Sequence, residues 1–216
     1  MRPFARSRRF RAALVGALLA AAPAAAPAQA DAVNSAEARK LRSAIRNDPL
    51  APTAGARQGD VTVVVFSDYQ CPYCHRFNAA LDALVQDDPK VRIVFRDWPL
   101  QGPNSILAAR AAIASQYQNR HAAFHAAIMA GPARIDEASL KAAARSAKVD
   151  WNRLRNDMAT HKTEIDALIT RNFQFARIMG LEGTPSLLVG PYLVPGMIDL
   201  ATLRATVAKA RKAGAQ

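Results

Sequence analysis

Val61-Thr62-Val63-Val64-Val65-Phe66-Ser67-Asp68-Tyr69-Gln70-Cys71-Pro72-Tyr73-Cys74 is the stretch on which the fold turns. Its first half is an unbroken apolar run, as expected of a central strand covered by helices on both faces. Its second half sets the only two cysteines of the chain two residues apart, where that strand gives way to a helix. Two intervening residues put the thiols about one helical turn apart, within reach of a short disulfide that opens and closes without backbone movement. Pro72 suits the first helical position, where its missing N–H costs nothing. Cys71 then faces the unpaired N–H groups and the positive end of the helix dipole, which favour thiolate over thiol. Such a sulfur attacks well and leaves well, so the arrangement implies dithiol–disulfide exchange.

Working outward, the helix after the cysteines carries Cys74, Phe77, Leu81, Leu84 and Val85 at helical spacing. That stripe predicts a sheltered Cys74 and a Cys71 at the exposed tip, so that Cys71 attacks and Cys74 resolves. Tyr73, between the thiols, is expected to be exposed. Val91 to Phe95 reads as the next strand. A helical block follows, with helices expected from Ser105 and from about Arg120 to Ala130, two more capped by Asp136 and Asp150, and another opened by Thr163 with Asp166. Ser186–Val189 and Tyr192–Val194 form a hairpin joined at Gly190-Pro191, and Asp199 caps a last amphipathic helix. The order predicts an α/β fold: a small mixed sheet flanked by helices, with a helical insertion at about residues 103–180 in a domain spanning 60–214.

The remaining segments set the context. Residues 1–30 combine five arginines, an apolar stretch from Ala12 to Ala22 and a small-x-small site at Ala28-Gln29-Ala30, the pattern of a secretory signal peptide with Asp31 the first mature residue. Ser7-Arg8-Arg9 hints at twin-arginine export, but Phe10-Arg11 fits it poorly, and an ordinary basic leader is the expectation. Export places the cysteine pair in an oxidising compartment, the periplasm. Residues 31–59 read as an arm and linker: a helix capped by Asn34 or Ser35, stopped at Asp48-Pro49, then a linker marked by Pro52 and Gly55. Packing on the domain is the expected role of the arm, with oligomerisation the alternative. The formal charge of +12 is scattered over helix faces with no aromatic-basic stripe, which argues against a nucleic-acid partner.

Several blocks together resemble the bacterial DsbA-like branch of the thioredoxin superfamily. They are Asn47 to Pro52, Phe66 to Cys74, Arg96-Asp97-Trp98-Pro99-Leu100, Ser105 to Ala112, Phe124-His125 and Gly183-Thr184-Pro185. The resemblance implies a thioredoxin-like fold and an exported thiol:disulfide oxidoreductase that forms disulfides in cysteine-containing proteins. A disulfide isomerase or reductase kept reduced by a membrane partner is the alternative. It also implies a cis Thr184–Pro185 bond beside the cysteines, with Thr184 and Pro185 binding substrate, Pro72 and Tyr73 tuning the pair, and no cofactor beyond the Cys71–Cys74 disulfide. A membrane redox partner resets the pair. One departure stands out: the buried acid that many relatives carry six residues before the first cysteine is Val65 here. Asp68 and His75 are the candidates to replace it.

Other readings of the same residues are weaker. A two-residue loop removes little chain entropy, so Cys71–Cys74 makes a poor structural staple. Cys71-x-x-Cys74-His75 also fits c-type haem attachment, but the buried strand before it and the Thr-Pro after it do not. His121 and His125 have metal-ligand spacing, yet Ala122 stands where a zinc protease needs glutamate, so no metal site is expected. His125 reads as structural and His121 as a surface residue.

Overall fold

The computed structural model describes residues 35–214. The leader and its cleavage site lie outside the described residues. Residues from Lys40 onward form one compact unit.

Helix α1, Ala36–Arg46, starts on Ser35, whose Oγ accepts the Ala38 N–H at 3.1 Å. Strand β1, Thr53–Gly55, leads into β2, Val61–Ser67, then α2, Pro72–Asp87, and β3, Val91–Asp97. The helical block is α3, Pro103–Ala114; α4, His121–Ala130; α5, Glu137–Ser146; α6, Trp151–Thr160; and α7, Lys162–Ile178. The hairpin of β4, Ser186–Val189, and β5, Tyr192–Pro195, precedes α8, Leu200–Lys212. The sheet order is β1-β3-β2-β4-β5, with β2 and β3 parallel and the other pairs antiparallel.

Strand alternation divides the core in two. Val63, Val65, Ile93, Phe95, Leu187 and Val189 face α2 and α8, where they meet Phe77, Leu81, Leu84, Leu203 and Val207. Val64, Phe66, Val94 and Leu188 belong to the core shared with the insertion helices and with Ile45 of α1. Both faces of β2 are therefore covered, which is why it reads as continuous apolar sequence.

Two expectations are corrected here. The supposed linker contains β1, paired Thr53↔Val94, Ala54↔Ile93 and Gly55↔Arg92. Pro52 is tolerated because β1 is an edge strand. Gly55 is required by close approach: at φ +72°, a Cβ there would lie 2.4 Å from the Val91 carbonyl oxygen. Thr163 and Asp166 do not form a cap either. Helix α7 begins at Lys162, directly after α6, and Asp166 instead pairs with Arg110 at 2.7 Å and Lys162 at 2.5 Å. Asp136, Asp150 and Asp199 do cap their helices, each accepting an N–H three residues on.

The arm is fastened by a charged cluster. Arg96 on β3 is fully buried. Its Nε donates to the Ile45 carbonyl at 2.9 Å, and a terminal nitrogen to that of Ala44 at 3.0 Å. Its other terminal nitrogen reaches Asp48 and Asn172, both at 3.1 Å. Arg171 of α7 grips both Asp48 oxygens, at 2.9 and 3.1 Å. Burial opposes the Asp48 charge, but Arg171, the Leu50 N–H and Arg96 outweigh it and hold the carboxyl below its usual range.

Candidate active site

The end of β2 delivers Cys71 to the N-terminus of α2. Cys71 is the N-cap residue, with extended backbone (φ −81°, ψ 114°), and Pro72 follows at the first helical position. The Cys71 carbonyl accepts the N–H groups of Cys74 at 3.0 Å and His75 at 3.2 Å, closing the first turn. The Cys71 N–H donates back to the Asp68 carbonyl at 3.0 Å, so the turn before the helix is fixed as well.

The Thr184–Pro185 peptide bond is cis, and this loop lies against the cysteines. The Cys71 Sγ–H donates to the Thr184 carbonyl at 3.2 Å. Burial pushes the Cys74 thiol far above its usual range, and the neighbouring Cys71 adds to this. The Asp68 backbone and the Thr184 hydroxyl pull the other way. Thr184 thus holds the Cys71 thiol through its carbonyl, and its side chain favours the Cys74 anion against the effect of burial.

The expected exposed tip is corrected by this loop. Cys71 is only 5% exposed and Cys74 2%. Sequence periodicity locates Cys71 at a helix terminus, but cannot show a loop over a hundred residues later folding across it. Tyr73 is exposed, at 56%, with the Arg76 guanidinium 4.5 Å from its ring centroid.

Asp68 proves to be a clamp. It is buried, and its carboxylate accepts the Ser105 hydroxyl at 2.6 Å and the N–H groups of Gln70 at 2.7 Å, Leu100 at 2.6 Å and Gln101 at 2.9 Å. Four donors occupy the oxygens, so the side chain laces the 68–70 segment to residues 100–105 and is not aimed at the thiols. Asp68→Ala will leave these buried donors unmatched. The expected cost is about 2–4 kcal/mol, measurable as a lower urea midpoint. His75 is also anchored, its Nε2 donating to the Tyr69 carbonyl at 2.7 Å.

His121 is another correction. It is buried, its ring packs on Phe95 and His125, and neither ring nitrogen has a partner. Burial, with His125 adding to it, pushes its pKa well below the usual range, so it packs as a neutral ring. Among the described residues no cluster of three or more metal-ligating side chains occurs.

The sequence reading missed a polar group beneath the site: Asp97, Tyr69, His125 and Asn78. The Tyr69 hydroxyl lies 2.9 Å from His125 Nδ1, and His125 Nε2 lies 2.9 Å from Asn78 Oδ1. Asp97 is buried with both carboxyl oxygens unpartnered. Continuing the Val91, Ile93, Phe95 alternation by two residues would have pointed Asp97 inward and exposed it as a core acid.

A mixed sheet with two cysteines opening a helix and a threonine–cis-proline loop across them defines a thioredoxin fold with a paired-cysteine site. The model of the DSBA-like thioredoxin domain matches residues 62–208, and the chain belongs to that family. A thioredoxin-like oxidoreductase from Silicibacter pomeroyi is 42% identical, with a TM-score of 0.75 over 79% of this chain and 98% of that one. A periplasmic thioredoxin-like protein from Salmonella enterica serovar Typhimurium is 30% identical, with a TM-score of 0.69 over 80% and 97%. Among curated proteins, Na(+)/H(+) antiporter NhaA 1 of Salinispora arenicola is 29% identical over 158 residues, 72% of this chain. The chain spans only 24% of that relative's length.

Proposed function

We propose that the protein forms disulfides in exported, cysteine-containing proteins through Cys71 and Cys74. The observation that carries this reading is the contact of the Cys71 sulfur with the Thr184 carbonyl, in the loop that crosses the start of the cysteine helix. That loop offers a backbone edge on which an extended substrate can pair while its sulfur approaches Cys71.

In the first step a substrate thiolate attacks Cys71 of the Cys71–Cys74 disulfide. The new bond joins substrate sulfur to Cys71, and Cys74 leaves with the electron pair. Burial disfavours its anion, so Cys74 takes up a proton. A second substrate thiolate then attacks the substrate sulfur of the mixed disulfide, and Cys71 leaves as thiolate. The substrate has lost two electrons, and the protein holds them as a dithiol. An exported membrane-linked oxidant then restores the disulfide.

No described helix is long and apolar enough to cross a membrane. The basic and then apolar start of the sequence, and the likeness to a periplasmic thioredoxin-like protein, support work in the periplasm. The test is the resting redox state of Cys71 and Cys74 in cells, read by thiol alkylation. A largely oxidised pair supports the oxidase, and a largely reduced pair overturns it in favour of an isomerase or reductase.

The residue between proline and the second cysteine sets a further expectation. Tyr73 is neutral, so it stabilises a Cys71 thiolate less than a histidine at that place does. The disulfide is therefore expected to be less oxidising than the about −120 mV of DsbA. Equilibration with glutathione measures this, and a potential at or above that value would overturn the argument.

A further inference from the structure

The surface around Cys71 carries charges of opposite sign on opposite sides. On α2, Cys74 and Phe77 face inward, while Pro72, Tyr73 and Arg76 are exposed. Tyr73 stands between the thiols, and the Arg76 guanidinium lies 4.5 Å from its ring centroid. Such a stack engages one flat face of the guanidinium. The N–H groups around its edge stay available, in the fork that matches a carboxylate.

Nothing on the same helix competes for that edge. The residues three and four positions away, Pro72, Tyr73, Ala79 and Ala80, are uncharged. The first turn of α2 contains no acid. Among the described residues, Arg76 makes no ion pair. The acids nearest to it in sequence are engaged elsewhere: Asp68 is buried and holds four donors, and Asp82 accepts from Asn78 at 2.8 Å.

The other side of the site has the opposite sign. Glu182 stands two residues before Thr184, in the loop whose carbonyl meets Cys71. It is exposed and makes no ion pair among the described residues. A further approach comes from the loop before α5, whose Ile135 N–H donates to Gln70 Oε1 at 3.2 Å. That loop carries exposed Arg134, and its Asp136 is occupied by the Ser139 N–H at 2.7 Å. A polypeptide laid along the Thr184 loop, with its sulfur at Cys71, therefore runs from a carboxylate towards guanidinium groups.

We propose that Tyr73 and Arg76 are specificity-determining residues for disulfide exchange. They select protein substrates that carry an acidic side chain next to the reacting cysteine, on the flank that faces α2. This rests on the dithiol function proposed above and deepens it. The ring holds the guanidinium in place, so a substrate carboxylate meets a donor fork already oriented for it. Glu182 repels a carboxylate on the opposite flank, so the same charges set the direction in which substrate lies.

The test measures rate constants for thiol attack on the Cys71–Cys74 disulfide by single-cysteine peptides. The peptides carry Glu or Gln at the residue before the cysteine and, separately, at the residue after it. Glutamate also raises the peptide's own thiol pKa, but that change is the same for every variant of the protein. The readout is therefore the Glu-to-Gln rate ratio of one protein relative to another. At low salt the ratio at one flank is expected to be about three- to fivefold lower in Arg76→Gln than in wild type, as for an exposed ion pair of good geometry. Tyr73→Ala is expected to lower it part of the way, and about 0.5 M salt to remove the difference. Lys212→Gln is the control for net charge, because it lies at the end of α8 where Arg211 pairs with Asp60 just before β2, and it is expected to keep the wild-type ratio. Equal ratios in wild type and Arg76→Gln at both flanks, or an equal fall in Lys212→Gln, overturn the proposal. An unchanged ratio in Tyr73→Ala overturns the part given to the ring. Peptides that exchange at rates indifferent to Arg76 sink this inference alone, while a wild-type protein that exchanges with no peptide sinks the function proposed above.

Discussion

Cys71→Ser will reduce disulfide exchange by on the order of 10³-fold or more, to the background of the free thiols in the assay. A hydroxyl at the N-cap is neither ionised near neutrality nor able to form the mixed disulfide. The fold will survive, because serine is a better N-cap than cysteine and the replaced atom makes one weak contact, to the Thr184 carbonyl. Cys74→Ser gives a different result: Cys71 still attacks a substrate disulfide, but nothing resolves the adduct. Mixed disulfides with substrate will accumulate and be visible as higher-mass species on non-reducing gels. Full activity of Cys71→Ser would remove the enzyme reading, and equal trapping by both variants would remove the division of roles.

The largest stability effect is expected at Arg96. Arg96→Ala strands Asp48 beside Arg171 alone, and leaves the carbonyls of Ala44 and Ile45 and the Asn172 oxygen without their donor. Removing one partner of a buried ion pair costs about 3–5 kcal/mol, a large share of the stability of a domain this size. Guanidinium unfolding will show a lower midpoint, and limited proteolysis will cut first between α1 and β1. Arg96→Met keeps the volume and will lose less if packing, more than charge, fastens the arm.

Two aspartates give the stability opposite pH dependences. The depressed Asp48 carboxyl contributes stability that is present above its unfolded pKa and lost as pH falls through the folded value. Asp97 is raised, so its contribution is complete below its unfolded pKa and lost as pH rises through about 8. Urea midpoints measured across pH will therefore fall with acid below about pH 4 through Asp48, and fall with rising pH from about 4 to about 8 through Asp97. Asp97→Asn is expected to flatten the interval between about pH 4 and 8 and leave the fall below it unchanged.

The parts legible in the sequence are those set by local chemistry. The β2 run, the Pro72 start of α2, the aspartate caps and the Gly190-Pro191 turn all follow from residue type and spacing, and a mixed sheet follows from their succession. Contacts between distant segments were not legible. Thr53–Gly55 looks like linker because its strand character comes entirely from the β3 edge it joins. His121 looks exposed because nothing near it in sequence reveals that Phe95 covers it. Asp68 suggested chemistry by its closeness to Cys71, whereas its four donors come from the turn itself and from residues 100–105. Asp97 was quoted only as part of a family-like block, although its strand parity already marked it as inward.

The cover that Thr184 places over Cys71 bears on chemical durability. Over-oxidation to sulfinic acid follows thiolate character and access, and peroxide brings no peptide backbone with which to compete for the loop. An unfolded polypeptide can pair with that loop and reach the sulfur from alongside it. The same carbonyl that receives the thiol proton therefore screens the dithiol from small oxidants during the interval before it is reset.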